Sequence, residues 1–200
     1  NSFNLHQNNL KTMKQLFTLT LFLLTITAFA QKPCEYSVNV YDSIGSYKVT
    51  NEYLMSEKYF GGSFNYIFFS LAQTDALPTL NLQSIQKSKD FIKANCFDKN
   101  SKIFLQLENG KIVTLMHVNQ ENCGTLIRDD KGFDNRVNTG IFMFMKDNFE
   151  ELKKSPISIM RIKYLTNTED YIVKAELTSE LSGKVTHPNT YFIENIRCVE

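Results

Sequence analysis

The stretch KIFLQLENGKIVTLMHV, residues 102–118, decides the fold class. Two runs of apolar residues flank Asn109-Gly110, a dipeptide suited to a two-residue hairpin turn because both central positions need positive φ. Such a loop sets Glu108 opposite Lys111. Leu107 then faces Ile112, Leu105 faces Thr114 and Ile103 faces Met116, giving one mostly apolar face. Carried outward past Asp98–Ser101, the same register sets Cys96 opposite Cys123, as a hydrogen-bonded pair with Cα atoms about 5.5 Å apart.

Further strands follow on both sides of this hairpin. CEYSVNVY alternates, with Tyr36, Val38 and Val40 on one face, so 35–41 is a strand. Gly45 turns the chain, and Tyr47, Val49, Tyr53 and Met55 mark a returning strand that Gly61-Gly62 breaks. FNYIFFSLA (64–72) is apolar on both faces, as a central strand is. Pro78 interrupts before LNL (80–82), a short strand, and 84–95 is left open between helix and irregular strand. A polar loop is expected at 128–140, and IFMFM (141–145) is a second strand apolar on both faces.

Asp147 and Glu150 form a capping-box pattern that opens a short helix, with Phe149 and Leu152 on one face and Pro156 as its stop. SIMRIKYL (158–165) and DYIVKAEL (170–177) are strands about a turn at Thr166–Glu169. TYFIENIRCVE places Phe192, Ile193, Ile196 and Val199 at helical spacing, so a helix capped by Asn189 or Thr190 follows Pro188. The expected fold is mainly β: an antiparallel sandwich or curled sheet with one or two short helices. No repeat or linker divides 31–200, which is read as a single domain.

MKQLFTLTLFLLTITAFAQKPC (13–34) sets the compartment. Lys14 precedes an uncharged run from Leu16 to Ala28, within the roughly 7–15 residues of a signal-peptide core. The run is short of the about 20 residues a membrane-spanning helix needs. Ala28-Phe29-Ala30 supplies the small residues a signal peptidase requires, so 13–30 is expected to be removed after Ala30. Cys34 lies too far behind that site, after Pro33, for a lipid attachment. Met13 is the expected start, and 1–12 is set aside as an upstream non-structural segment.

Export gives the four cysteines a role. Cys34, Cys96, Cys123 and Cys198 read as two disulfides with three possible pairings. The hairpin register favours Cys96–Cys123, which leaves Cys34–Cys198 to tie the ends of the domain. No two cysteines sit at the short spacing of a zinc knuckle. Lys11 and Lys14 are the only charges before residue 31, so 31–200 carries a formal charge of −1. That near-neutral balance, without a basic run, argues against nucleic acid as a partner. No stable membrane span is expected once the leader is removed.

The leader ending AFAQ, the opening CEYSVNVYDSIGSYKV, the hairpin KIFLQLENGKIVTL, the step FEELKKSPISIMRIKY and the ending YFIENIRCVE together resemble a group of uncharacterised small exported β-rich proteins of Bacteroidetes-type bacteria. The resemblance implies export and a β-rich domain. It carries no site residues across.

Candidate chemistry is sparse. His117 is placed on a strand face with Phe104, Val113 and Leu115, opposite Lys102, and reads as a satisfied or surface residue. His187 precedes Pro188 in an exposed turn. GGSFN (61–65) lacks the G-x-S-x-G pattern of a serine nucleophile, and no phosphate loop occurs. Asp129, Asp130, Asp134 and Asn135 offer oxygen ligands without EF-hand spacing, interleaved with Arg128, Lys131 and Arg136. Glu150 and Glu151, adjacent in a helix, do not face each other as a glycosidase pair does. Tyr36, Tyr47, Tyr53, Tyr59 and Tyr66 offer rings to line one side of a sheet as a sugar-stacking face, a reading the absence of Trp weakens, and read instead as core-edge residues whose hydroxyls reach solvent.

No catalytic residue, metal ligand or cofactor is assigned. The expected function is a monomeric, non-enzymatic binding or interaction module of the cell envelope, meeting a protein or small ligand in the periplasm or outside the cell. One alternative is a carrier of a small apolar ligand, with 64–72 and 141–145 walling a cavity. The other is a periplasmic hydrolase with a dispersed site that uses His117 or an acid of 128–136.

Overall fold

A computed structural model describes residues 33–200 apart from 119, 146 and 147. The leader expected at 13–30, the segment before it and the helix cap expected at Asp147 lie outside these residues. Strands β1 (Tyr36–Tyr41), β2 (Ser46–Thr50), β3 (Tyr53–Phe60), β4 (Ser63–Thr74) and β5 (Leu77–Ser88) come first. A strap, 89–101, leads to β6 (Lys102–Leu107), β7 (Ile112–His117), β8 (Thr125–Arg128) and β9 (Asp134–Phe144). Helix α1 (Asn148–Leu152) precedes β10 (Ile157–Lys163), β11 (Thr168–Ile172), β12 (Leu177–Thr178) and β13 (Val185–Thr186). The chain ends in α2 (Tyr191–Asn195) between two 3-10 turns.

The fold is mainly β. Eleven strands make one antiparallel sheet, ordered β1-β2-β4-β5-β9-β7-β6-β10-β11, with β3 also on β4 and β8 also on β9. β12 and β13 form a separate pair. The sheet curls until β3 meets β11, where Lys58 Nζ donates to Asp170 O at 3.5 Å and sits 4.4 Å from the centre of the Tyr171 ring. No ladder joins these strands among the described residues, so the sheet is not closed.

Cross-strand rows on the inner face of β4, β5 and β9 change character along the strands. Leu71, Leu80 and Phe142 form one row, and Phe69, Leu82 and Gly140 the next. Ile67, Ser84 and Asn138 follow, and then Asn65, Gln86 and Arg136, with Lys58 of β3 opposite Asn65. The C-terminal segment packs on the apolar end, where the Phe192 ring lies 6.2 Å from Phe69 and 6.1 Å from Phe144. Cys34–Cys198 and the Tyr36 hydroxyl, which donates to Cys198 O at 2.8 Å, fasten that segment to β1.

The hairpin register differs from the sequence reading by one residue. Leu105 pairs with Val113 and Ile103 with Leu115, because Leu107 N donates to Lys111 O at 2.8 Å across a three-residue loop. Only Gly110 takes positive φ there, at 85°, as in a type I turn followed by a left-handed glycine. The one-residue slip exchanges the faces of β7. Val113, Leu115 and His117 enter the core while Ile112 is 62 % exposed. Lys102 faces Met116 instead of His117, and Phe104 faces Thr114 on the opposite face from His117.

Beyond β7 the chain regains what the slip removed. His117 N donates to Ser101 O, after which 118–121 is one residue longer than the facing 98–100. Phe97 and Asn122 then exchange both backbone hydrogen bonds, at 2.8 and 3.0 Å. Cys96 and Cys123 come opposite each other and are bonded, with Cα atoms 4.0 Å apart. They lie beside the hydrogen-bonded pair and are therefore of the closer, non-hydrogen-bonded kind, unlike the wider pair a regular ladder implies.

Two elements run longer than expected. β5 continues through Ser88, with Pro78 near its start opposite Gln73, where a missing N–H is tolerated. β9 begins at Asp134, so the polar loop shrinks to 129–133. Its polar and small residues are demanded by position. Asn138 Nδ2 donates to Asn95 O at 2.5 Å, and a Cβ on Gly140 would lie 2.9–3.2 Å from the rings of Phe142, Phe97 and His117. The expected return strand 47–55 is split by Asn51-Glu52 into β2 and β3.

Candidate functional site

The polar end of the curled sheet opens into a cavity of about 460 Å³, bounded by the β3–β4 turn, the end of β5, the strap and the β10–β11 turn. Its size falls within the roughly 300–1,000 Å³ of small-molecule sites. Phe60 and Phe91, each 89 % exposed, stand on its rim. The strap across the opening is pinned from beneath by Phe97, whose ring lies 5.0 Å from Tyr164, 5.4 Å from His117 and 5.5 Å from Phe142. Cys96–Cys123 and a bond from Leu165 N to Cys96 O at 2.8 Å hold it from the sides.

Glu169 organises the floor. Its Oε1 accepts Asn95 Nδ2 at 2.7 Å and Asn167 Nδ2 at 3.3 Å, and its Oε2 accepts the Tyr171 hydroxyl at 2.5 Å. Burial pushes the Tyr171 phenol far above its ordinary pKa, with the charges of Tyr164 and Glu169 adding to the effect, so Tyr171 remains a donor. Burial likewise raises Tyr164. Two amide oxygens in the lining, Asn65 Oδ1 and Asn167 Oδ1, are buried without a hydrogen-bond partner among the described residues. Both oxygens are sealed from solvent, so they lie within the wall of the cavity and not at its open surface.

The residues singled out from sequence lie elsewhere. His117 is buried beneath Phe97, its Nδ1 is 2.9 Å from Asp98 O, and its Nε2 has no partner among the described residues. His187 is exposed, 3.9 Å from Glu176. Asp129 is a turn brace, its Oδ1 accepting Lys131 N and Phe133 N while its Oδ2 accepts Lys87 Nζ at 2.6 Å. These contacts, Lys87 foremost, hold its carboxyl well below the usual range. Asp134 pairs with Arg128 at 3.7 Å, and Asn135 donates to Ile127 O and Phe133 O. Glu150 and Glu151 face different lysines, Lys153 and Lys111, at 2.7 Å each.

The five tyrosines do not line one side. Tyr53 points inward, 5.0 Å from the Tyr191 ring, while Tyr66 stacks on the outer face at 6.3 Å from both Phe64 and Phe68. Tyr59 joins that outer row through Phe64 at 4.6 Å. Every cysteine among the described residues is in a disulfide, which removes a thiol nucleophile. Glu121 approaches Cys123 Sγ at 3.9 Å, but the sulfurs of Cys96 and Cys123 bind each other and offer no thiolate to a metal.

Glu169, Asn167, Asn95 and Asn65 were missed in sequence. Asn65 carried a signal, because it falls in step with inward-facing Ile67, Phe69 and Leu71. Asn167 sits in the β10–β11 turn and Glu169 at the start of β11, between Tyr164 and Tyr171, and nothing local distinguishes them from solvated residues at a hairpin end.

His117 predicts a pH dependence of stability. Burial lowers its pKa, outweighing the bond to Asp98 O and the Asp98 charge, which raise it. Because the folded value lies below the unfolded one near 6.5, the unfolded chain takes up the proton first. The stability is therefore complete above about pH 6.5 and declines as pH falls below it. Denaturant unfolding between pH 7.5 and 5.5 should show this decline in the parent and a flatter profile in His117→Gln. Equal slopes would contradict it.

No family model, curated protein or solved structure matches the chain. Disulfides of this kind belong to oxidising compartments. Among the described residues no helix is long and apolar enough to cross a membrane.

Proposed function

We propose that the chain is an exported binding module of the cell envelope, acting as a monomer without catalysis, with the mouth of the curled sheet as its binding site. The observation that carries this reading is the open cavity lined by Asn65, Asn95, Asn167 and Glu169 beneath the exposed rings of Phe60 and Phe91. A polar floor under an apolar rim suits recognition of a small ligand or the tip of a larger one. Glu169 is already engaged by three donors and serves to hold the floor in shape. The inward faces of 64–72 and 141–144 contribute Ile67, Phe69, Leu71 and Phe142 to one packed core, which favours the mouth over an interior apolar cavity.

Export is supported by the leader and by the two disulfides. The test is mass spectrometry on protein exported with its own leader. The denatured mass should fit cleavage after Ala30 and oxidation of all four cysteines. The native mass should include a reproducible bound species that Phe91→Ala and Asn167→Ala release. An uncut chain with free thiols contradicts export, and a bare parent indistinguishable from the two variants contradicts the binding site.

A further inference from the structure

We infer that the seam between β3 and β11 takes an extended peptide segment of a partner protein, laid along the sheet edge as an added strand. The two edges face each other across a groove of about 290 Å³ lined by Met55, Glu57, Lys58, Asp170, Ile172 and Lys174. No ladder closes it among the described residues. Leu177 and the bond from Thr186 Oγ1 to Leu54 O bound one end, and at the other Lys58 belongs to the groove and to the mouth alike.

Both edges turn backbone groups into this groove. Val173 N donates to Ser158 O at 3.0 Å, so by antiparallel alternation Tyr171 and Val173 bond β10, while Asp170 and Ile172 point their N–H and C=O groups away from it. On β3, the two-residue turn Gly61-Gly62 makes Phe60 and Ser63 a hydrogen-bonded pair. Lys58 then also bonds β4, and Glu57 and Tyr59 point their groups toward the seam. Across it, Lys58 Nζ reaches Asp170 O at 3.5 Å, longer than an ordinary hydrogen bond, and a peptide N–H displaces it at little cost.

Such edges select their occupant. Each presents one N–H and one C=O at every second residue, about 6.7 Å apart, and another extended backbone matches that spacing. Ile172 is 82 % and Tyr59 55 % exposed, on the outer face beside the seam, so alternate side chains of the added strand cover them. Two lysines and two acids line the groove, so recognition rests on backbone pairing and apolar cover and not on charge. β1 has a free edge too, but residues 37–41 stand exposed on both faces of a single ribbon.

The test is backbone amide NMR titration of the exported, oxidised chain with the peptides Ac-Lys-Val-Thr-Val-Lys-Val-Thr-NH2 and Ac-Glu-Val-Thr-Val-Glu-Val-Thr-NH2. At least one should give saturable shifts and slowed hydrogen exchange at Asp170 and Ile172 or at Glu57 and Tyr59, and its backbone N-methylated form should give neither. Ile172→Pro removes a donor to the seam and none to β10, and should weaken binding about fivefold, the scale of one hydrogen bond. Should proline disturb β11, Ile172→Ser removes the apolar neighbour and carries the same comparison. Phe91→Ala should leave the seam shifts in place, so the seam and the mouth stand or fall separately. Silence toward both peptides, or equal shifts along β1, would overturn the inference. A concentration-dependent dimer abolished by Ile172→Pro would overturn it in favour of a second copy of the chain.

Discussion

Replacing Cys34 and Cys198 together by serine should lower the unfolding free energy by about 5 kcal/mol on the loop-closure account, against about 3.5 kcal/mol for the Cys96/Cys123 pair. The difference comes from chain length: the bonds span sequence separations of 164 and 27. The longer loop encloses all thirteen strands among the described residues, and its loss frees both ends of the chain in the unfolded ensemble. In the folded state the same bond keeps Ile196 and Val199 seated in the core beside the Tyr36 hydroxyl. Guanidinium unfolding of the two double-serine variants measures the ranking directly. A larger loss from the Cys96/Cys123 pair would mean that the strap, and not the chain ends, carries more of the cross-linking stability.

Phe97→Ala should cost about 3–5 kcal/mol, the range for removing a large buried ring. Phe97 is fully buried and contacts Tyr164, His117 and Phe142 at once. The cavity it leaves lies under the strap, so the loss should extend to binding at the mouth. Phe91→Ala, on the same strap but exposed, should change stability by less than about 0.5 kcal/mol while weakening binding. Paired unfolding curves and native mass spectra separate the two effects. A Phe97→Ala protein as stable as the parent would contradict the placement of the strap anchor.

The fold class was legible because alternation and turn residues record which face each strand buries. CEYSVNVY, FNYIFFSLA, the central hairpin and SIMRIKYL all reported strands. The hairpin register was harder to read, because Asn109-Gly110 serves a two-residue or a three-residue loop and only the packing of Val113 and Leu115 decides between them. The slip is then offset at 118–121, so the same counting still reached the pair Cys96 and Cys123 that the structure bonds. The extensions of β5 and β9 were hidden because Ser84, Gln86, Arg136 and Asn138 face inward at the polar end and invert the usual alternation. The mouth cavity was illegible for a related reason. Its residues come from β4, the strap and the β10–β11 turn, and only the curl of the sheet brings them together.

The chain contains no Trp, so a single introduced indole reports its own surroundings. Phe91→Trp places one on the rim of the mouth, and Tyr41→Trp places one on β1, at the opposite end of the sheet and 87 % exposed in the parent. Each protein is titrated with the low-molecular-weight fraction of the periplasm of the producing bacterium while emission is followed. The account predicts a saturable blue shift for Phe91→Trp, abolished by adding Asn167→Ala, and no change for Tyr41→Trp. Two unresponsive reporters, or two that shift alike, would contradict the mouth as the binding site.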